Sequence, residues 1–115
     1  MSAEILINGE KLFKIESKVC TIGRSPDCDI YLRIPSLSRF HATIVVNESG
    51  EYIICDGDTA TDKPSLNGTE INGKPLKSEH GQILKHGDEI RLSPLVLIKF
   101  FEIKTMEVEN DGTIL

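Results

Sequence analysis

The chain has 115 residues, a length that suits one domain with a single hydrophobic core. Its hydrophobic fraction of 39% and charged fraction of 27% are those of an ordinary globular domain and argue against global disorder. The formal net charge of −5 argues against a nucleic-acid partner, because such binding needs a broad basic surface to replace the counterions of phosphates. A few arginines can still dominate one local anion site.

The cysteines and the N-terminus indicate a cellular compartment. Cys20, Cys28 and Cys55 are odd in number and form no C-x-x-C pair, so the sequence predicts neither a disulfide framework nor a zinc site. No apolar run approaches the roughly 18 residues of a membrane span. Residues 1–4 include an acid where a signal peptide has a basic start. We therefore expect a cytoplasmic protein with no metal, no cofactor and no membrane partner.

The first third of the chain predicts short β-strands separated by turns. Asn8-Gly9 lies between two apolar runs and is the strongest short-range hairpin signal, because both residues tolerate a positive φ. Ser25-Pro26-Asp27 is typical of a turn, and Pro35 places an irregular loop at 33–37. The strands predicted here are 5–7, 12–15, 19–23 and 30–32.

The remainder continues the same pattern. Residues 41–47 are rich in β-branched side chains, which favours a buried strand, and a turn at Ser49-Gly50 returns the chain. The polar segment 56–64 is predicted to be an extended surface loop. Further strands are predicted at 52–55, 70–71, 75–76, 83–84, 89–92 and 95–103, with Asn72-Gly73 as a second hairpin turn.

No stretch has the apolar spacing of a helix, so many short strands at close spacing predict an all-β sandwich or barrel. We expect residues 1–105 to form the domain. Residues 106–115 are acidic and contain Asp111-Gly112, which predicts a loose tail or the start of a linker.

Three polar clusters lie where predicted strands end. In the first, Gly23 lets the backbone bend and Arg24 can present a planar fork of donors to a phosphate. In the second, Ser38 can donate to a phosphate oxygen and Arg39 adds positive charge. Each cluster taken alone is more simply explained as surface or turn chemistry. Together they predict loops that hold an anion at one end of a β-scaffold.

The second cluster also contains His41, which raises the question of catalysis. A Ser-His-Asp hydrolase needs Ser38 and His41 in a relay with an aspartate, but the two residues are three apart and no nucleophile elbow surrounds them. We interpret His41 as a structural hydrogen-bonding residue at a strand start. No metal cluster or Gly-rich phosphate-transfer loop is present in the sequence, so we do not predict an enzyme.

The third cluster, Ser65-Leu66-Asn67-Gly68-Thr69, is a turn by default. The amide of Asn67 offers one acceptor and two donors, which suits it to clamp an extended peptide backbone.

The order and spacing of these clusters are more specific than any one of them. The chain contains Gly23-Arg24, Ser38-x-x-His41, Ser65-x-Asn67-Gly68-Thr69, Ile71-Asn72-Gly73 and Leu84-x-x-Gly87-Asp88-x-Ile90. This series resembles the forkhead-associated (FHA) domain over about residues 20–92. The resemblance implies a β-sandwich of about eleven mostly antiparallel strands, of the SMAD/FHA type, whose loops at one end bind phosphothreonine peptides.

The resemblance also implies roles for individual residues. Arg24 and Ser38 would contact the phosphate, Arg39 would add a further contact, and Asn67 would hold the peptide backbone. Three further residues would shape the loops without touching the ligand: Gly23, His41 and Gly68. Selection of the third residue after the phosphothreonine would fall to residues near Ile34, Pro35 and Ser36.

Two features depart from the family pattern. The segment between Asp56 and Ser65 is longer than is usual for the family, which either reshapes the peptide platform or is a passive insertion, and we favour the passive insertion. The second departure is at a single position. The residue before the family's Asn is commonly Ser or Thr and adds a hydroxyl contact to the phosphate, whereas this chain has Leu66. Either one donor is missing, or Ser65 substitutes with a different geometry. Ser65 and Leu66 are therefore candidate specificity residues as well.

The expected function is phosphorylation-dependent recognition of a phosphothreonine protein or peptide in signalling, by a module that can belong to a larger multidomain chain. The alternative is a phosphorylation-independent interaction domain that uses another face of the same scaffold.

Overall fold

A computed structural model describes residues 2–76 and 80–103. These residues form eleven strands and no helix. The strands are β1 (Ser2–Ile7), β2 (Lys11–Ile15), β3 (Val19–Gly23), β4 (Ile30–Tyr31), β5 (Ala42–Val46), β6 (Tyr52–Asp56), β7 (Glu70–Ile71), β8 (Lys74–Pro75), β9 (Gln82–Ile83), β10 (Glu89–Ser93) and β11 (Val96–Ile103). The predicted tail at 106–115 lies outside the described residues.

The strands are arranged in two sheets. One has six strands in the order β2-β1-β11-β10-β7-β8, and the other has five in the order β4-β3-β5-β6-β9. All pairs are antiparallel except β3 with β4. The prediction of an all-β sandwich of about eleven mostly antiparallel strands is confirmed. Within the described residues, no helix of the length and hydropathy needed to cross a membrane is found.

The core lies between the sheets because alternate residues of each long strand point inward. In β1 every second side chain is buried, and β10 and β11 alternate in part. Tyr52 of the five-stranded sheet packs on Phe100 of the six-stranded sheet, with ring centroids 5.5 Å apart. This aromatic contact ties the two sheets together near the start of β6.

Both Asn-Gly hairpins are confirmed. Asn8 and Gly9 have φ values of 53° and 69° and connect β1 to β2, while Asn72 and Gly73 have φ values of 52° and 84° and connect β7 to β8. Type I′ turns need two consecutive positive φ values, which explains the sequence preference.

The segment after β6 differs from the prediction. Instead of an extended loop it folds back on itself, with reciprocal backbone hydrogen bonds of 2.9 and 3.1 Å between Asp58 and Lys63. Asp62 adopts a positive φ of 57° within this turn. We call residues 58–63 the β6–β7 hairpin. The sequence signal was missed because the turn contains neither Gly nor Pro, the usual markers.

The cysteines are free, and burial raises the pKa of each of them. Burial, the nearby Asp29 carboxylate and Cys28 together raise the pKa of Cys20 from 9.0 to about 11. The thiols therefore remain protonated at neutral pH, and a protonated thiol is a poor nucleophile and metal ligand.

A raised pKa in the folded state predicts a loss of stability in alkali. The contribution of Cys20 is fully present below pH 9.0 and is lost as the pH rises through about 11. Two units correspond to about 2–3 kcal/mol. We expect the free energy of unfolding, measured with denaturant between pH 9 and 11, to fall more steeply for the wild type than for Cys20→Ala. Parallel slopes in the two proteins would contradict this assignment.

Candidate functional site

The polar clusters meet at one end of the sandwich, where β3 and β6 end and β5 and β7 begin. They line a cleft of about 830 Å³, a volume typical of a site for a ligand much larger than a single phosphate. The predicted site residues in its lining are Arg24, Pro35, Ser36, Ser38, Arg39, Ser65, Leu66 and Asn67. The other four predicted residues, Gly23, Ile34, His41 and Gly68, lie behind this surface.

Arg24 lies immediately after β3 and is held at the cleft by the neighbouring loop. Its backbone N–H donates to the carbonyl of Ser38 at 3.0 Å, and its Nε donates to the carbonyl of Leu37 at 2.9 Å. Among the described residues, no other hydrogen bond is made by its guanidinium. The terminal nitrogens of this fork are thus available to an anion in the cleft.

Gly23 allows the two loops to approach. A Cβ at this position would collide with the carbonyl oxygen of Arg39 and press on the backbone nitrogen of His41. The close approach lets Ser25 donate its backbone N–H to that same Arg39 carbonyl, at 3.0 Å. The thiol of Cys28 also donates to this oxygen, at 3.1 Å. Arg39 is consequently fixed through its backbone while its side chain stays exposed.

His41 links two of the loops from inside. The imidazole is completely buried, and its Nδ1 accepts the backbone N–H of Ser38 at 3.0 Å. Its Nε2 lies 2.8 Å from the carbonyl of Gly68, to which it must donate because a carbonyl only accepts. These partners fix a neutral imidazole protonated on Nε2. The ring is fully engaged with the backbone, which leaves it no geometry for a catalytic role.

Asp56, the last residue of β6, organises the 65–69 loop. Its carboxylate accepts the backbone N–H of Ser65 at 2.9 Å, the hydroxyl of Ser65 at 2.6 Å and the hydroxyl of Thr69 at 2.7 Å. The Ser65 oxygen in turn accepts the N–H of Gly68 at 2.9 Å. Because the Ser65 hydroxyl is committed to this network, it is not oriented as a substitute phosphate donor at the Leu66 position.

Leu66 and Asn67 present their side chains at the mouth of the cleft. Leu66 is 88% exposed, and its backbone N–H donates to the Ser38 hydroxyl at 2.8 Å. Asn67 donates its side-chain amide to the carbonyl of Ser36 at 2.9 Å. The amide therefore bridges two loops, and its side chain remains exposed beside the cleft.

The other three predicted specificity residues, beside Ser65 and Leu66, occupy different environments. Ile34 packs against the core and does not line the cleft, whereas Pro35 and Ser36 do. The Ser36 hydroxyl donates to the hydroxyl of Ser93 in β10, at 3.0 Å, which anchors this loop to the six-stranded sheet.

The charge of the cleft is mainly positive. Arg24, Arg39 and Lys63 line it, against one carboxylate, that of Asp58. Within the described residues, no group of three or more His, Cys, Asp or Glu side chains is placed to hold a metal ion. Among the described residues, those that line the cleft can bind an anion through guanidinium and hydroxyl donors, and they include no activated nucleophile.

Comparison with known proteins assigns the family. Residues 20–93 match the family model described as FHA domain. The chain belongs to the FHA domain family. This match contains Arg24, Ser38, His41 and Asn67. Strands β1 and β2 precede it, and β11 follows it.

Two bacterial proteins resemble the chain in sequence. It is 36% identical over 91 residues to the oxoglutarate dehydrogenase inhibitor of Corynebacterium efficiens, covering 79% of this chain and 57% of that protein. It is 31% identical over 106 residues to the glycogen accumulation regulator GarA of Mycobacterium tuberculosis, covering 92% of this chain and 58% of GarA. The chain thus spans less than two thirds of the length of these relatives.

A solved FHA structure shows the same fold with a ligand. The N-terminal FHA domain of Saccharomyces cerevisiae Rad53, in complex with a phosphothreonine peptide, superposes with a TM-score of 0.73 and 25% identity. The alignment covers 88% of this chain and 93% of that one.

Sequence reasoning missed two groups of site residues. Asp56 was interpreted as the first residue of a loop, although the spacing of a carboxylate before Ser65 and Thr69 is compatible with loop capping. The β6–β7 hairpin was interpreted as passive, yet three of its residues line the cleft: Asp58, Thr61 and Lys63. No local signal indicates this second feature, because it depends on how the hairpin packs.

Loss of the Asp56 carboxylate is expected to loosen the 65–69 loop. Asp56→Ala removes three hydrogen bonds and leaves the buried Thr69 hydroxyl without its acceptor. We expect a destabilisation of about 2–4 kcal/mol, since bonds to charged groups contribute roughly 1.5–3 kcal/mol each and losses are not additive. Denaturant unfolding measures it, with Asp27→Ala, an exposed acid in a turn, as the control. Equal stability of the two variants would contradict the role of Asp56.

Gly23→Ala tests the close approach of the first two loops. The added methyl group must displace the Arg39 carbonyl, because backbone atoms cannot move aside cheaply. We expect a loss of about 1–3 kcal/mol, the usual cost of overpacking, together with shifted amide resonances at residues 38–41. Gly9→Ala is the control, since a Cβ there meets no atom within 4 Å and only its positive φ is penalised. A smaller effect at Gly23 than at Gly9 would show that the approach is not tight.

Proposed function

We propose that the chain is a non-catalytic module that binds phosphothreonine peptides and so mediates phosphorylation-dependent contact between proteins in signalling. The observation that carries this proposal is the convergence of Arg24, Ser38 and Arg39 on one cleft, with the first two joined by a backbone hydrogen bond. Guanidinium and hydroxyl donors at short range suit a phosphate of about −1.5 to −2 charge at pH 7.

Recognition of the peptide requires a second element beside the phosphate donors. Asn67 lines the same cleft as Arg24, and its side-chain amide donates to the Ser36 carbonyl. One of its amide donors is used in that bond, which leaves the second donor and the oxygen for the backbone of an extended peptide. The phosphate contacts supply most of the free energy, and the amide sets the direction of the chain.

The expected affinity follows from a small number of strong contacts. Hydrogen bonds to charged groups contribute roughly 1.5–3 kcal/mol each, and two or three of them must offset the entropy lost on association. The balance suits reversible binding in about the micromolar range.

Removal of the Arg24 guanidinium tests the phosphate site. We expect Arg24→Ala to weaken phosphothreonine-peptide binding by ~2–5 kcal/mol, the range for truncating one member of a desolvated charged pair. An oriented phosphothreonine peptide library, probed with the wild type, identifies a suitable ligand. Calorimetric titration with that peptide then measures the loss of affinity in Arg24→Ala.

The matched control is Arg91→Ala. Arg91 lies in β10 and donates to the carbonyls of Ser93 and Pro94, away from the cleft lining. Arg91→Ala removes the same single positive charge as Arg24→Ala, so any effect of net charge on peptide affinity appears in both variants. Unchanged phosphopeptide affinity in Arg24→Ala would refute the proposed phosphate site.

A second candidate function is phosphorylation-independent peptide binding. It is favoured by Leu66, whose side chain is 88% exposed at the cleft and offers an apolar contact to any ligand. Titrating one peptide in phosphorylated and unphosphorylated forms separates the two candidates. Equal affinities would support the second function and contradict the first.

The wider setting is also part of the proposal. The chain spans 57–58% of its curated relatives, which suits a binding module within a longer cytoplasmic protein. Its partner would be a phosphothreonine protein, with neither nucleic acid nor membrane involved.

A further inference from the structure

The β6–β7 hairpin is fixed to the core rather than left on the surface. Gly57, just before it, donates its backbone N–H to the carbonyl of His41 at 2.7 Å. The carbonyl of Gly57 accepts the hydroxyl of the fully buried Thr43 at 2.8 Å. Both partners belong to the start of the central β5 region, so the base of the hairpin is anchored beside the loops that hold Ser38.

The return side of the hairpin is fixed equally well. Gly57 has a φ of 82°, and a Cβ there would collide with the carbonyl oxygen of Lys63 and with the backbone of Pro64. The paired backbone bonds between Asp58 and Lys63 close the hairpin immediately above this contact. The backbone of Lys63 therefore packs directly against Gly57. Only glycine fits at position 57, because its φ is positive and there is no space for a Cβ.

The side chains of the hairpin differ in what they can offer a ligand. Asp58 uses both carboxylate oxygens internally, accepting the N–H of Ala60 at 3.0 Å and the hydroxyl of Thr61 at 2.9 Å. Lys63 is exposed and lines the cleft, and in the described part of the chain its ammonium group forms neither an ion pair nor a hydrogen bond. The cation is presented to the cleft while the neighbouring acid is turned into the hairpin.

Arg24 and Lys63 reach the cleft from different elements. Arg24 follows β3, whereas Lys63 comes from a hairpin held at the end of β6. The cleft volume of about 830 Å³ accommodates several peptide residues, far more than the phosphate alone. A cation brought to such a cleft by a separate element is suited to a second part of the ligand.

We propose that Lys63 binds a second anionic group of the peptide, a carboxylate or a second phosphate that flanks the phosphothreonine. The inference rests on the proposed phosphothreonine function and adds a ligand class to it: peptides with a further negative charge close to the phosphorylated residue. The β6–β7 hairpin is then a specificity element, with Lys63 as the residue that contacts the ligand.

The experiment compares alanine-background peptides that share one phosphothreonine. Each carries a single Asp, or in a second series a single phosphoserine, at one of the positions on either side. We expect one position to improve wild-type affinity about two- to fivefold with Asp, the range for an exposed ion pair, and by a larger factor with phosphoserine. The relative gains tell a carboxylate ligand from a second phosphate.

Three variants assign the gain to Lys63. Lys63→Ala should lose it while binding the alanine-background peptide within about twofold of wild type. Lys63→Glu should reverse it, so that Lys at the same peptide position becomes preferred over Asp. Lys18→Ala, which removes an exposed lysine at the opposite end of β3, should retain it.

Each outcome has a separate meaning. A gain that persists in Lys63→Ala overturns the inference. An equal loss of affinity for every phosphopeptide in Lys63→Ala also overturns it, because Lys63 would then contact the phosphothreonine phosphate itself. If the unphosphorylated peptide binds wild type as well as the phosphorylated one, the proposed function fails, and this result does not depend on Lys63.

Discussion

The binding end of the molecule depends on one buried imidazole. His41 accepts a backbone N–H from the loop that bears Ser38 and donates to the carbonyl of Gly68 in the loop that bears Asn67. A buried imidazole with both nitrogens hydrogen-bonded stabilises the fold. Loss of either hydrogen bond would leave a buried donor or acceptor unpaired, which lowers the free energy of unfolding. The separation of the two loops is thus set by the width of a single imidazole ring. The width of the cleft between these loops therefore depends on a residue buried in the core.

Much of the scaffold could be predicted because its signals are local. Each Asn-Gly pair encodes its own turn through φ, and the strand from Val19 to Gly23 is bounded by residues that end strands. Less of the site could be predicted from the sequence. The roles of Asp56 and of the β6–β7 hairpin arise from contacts such as Thr43 with Gly57, 14 residues apart, which no short window of sequence contains. That Lys63 lines the cleft follows only from the way the β6–β7 hairpin packs in the folded structure.

The sandwich consists of an apolar interior between the two sheets and a polar end formed by the loops. The two sheets supply the buried apolar area, while backbone carbonyls of Leu37, Arg39 and Gly68 hold the loops by hydrogen bonds. Since these bonds form within the chain itself and need no ligand, they reduce the ordering of the loops that binding requires. The same arrangement places Pro35, Leu66 and residues of the β6–β7 hairpin around the cleft.

The bond from the Leu66 N–H to the Ser38 oxygen also sets a polarity in this cleft. A hydroxyl that already accepts one hydrogen bond directs its own hydrogen away from that partner, toward the open side. The guanidinium of Arg24, which lines the same cleft, adds donors and no acceptor. A ligand group that only accepts hydrogen bonds therefore suits this part of the cleft better than one that donates. The backbone amide of Leu66 thereby biases the Ser38 hydroxyl toward donation.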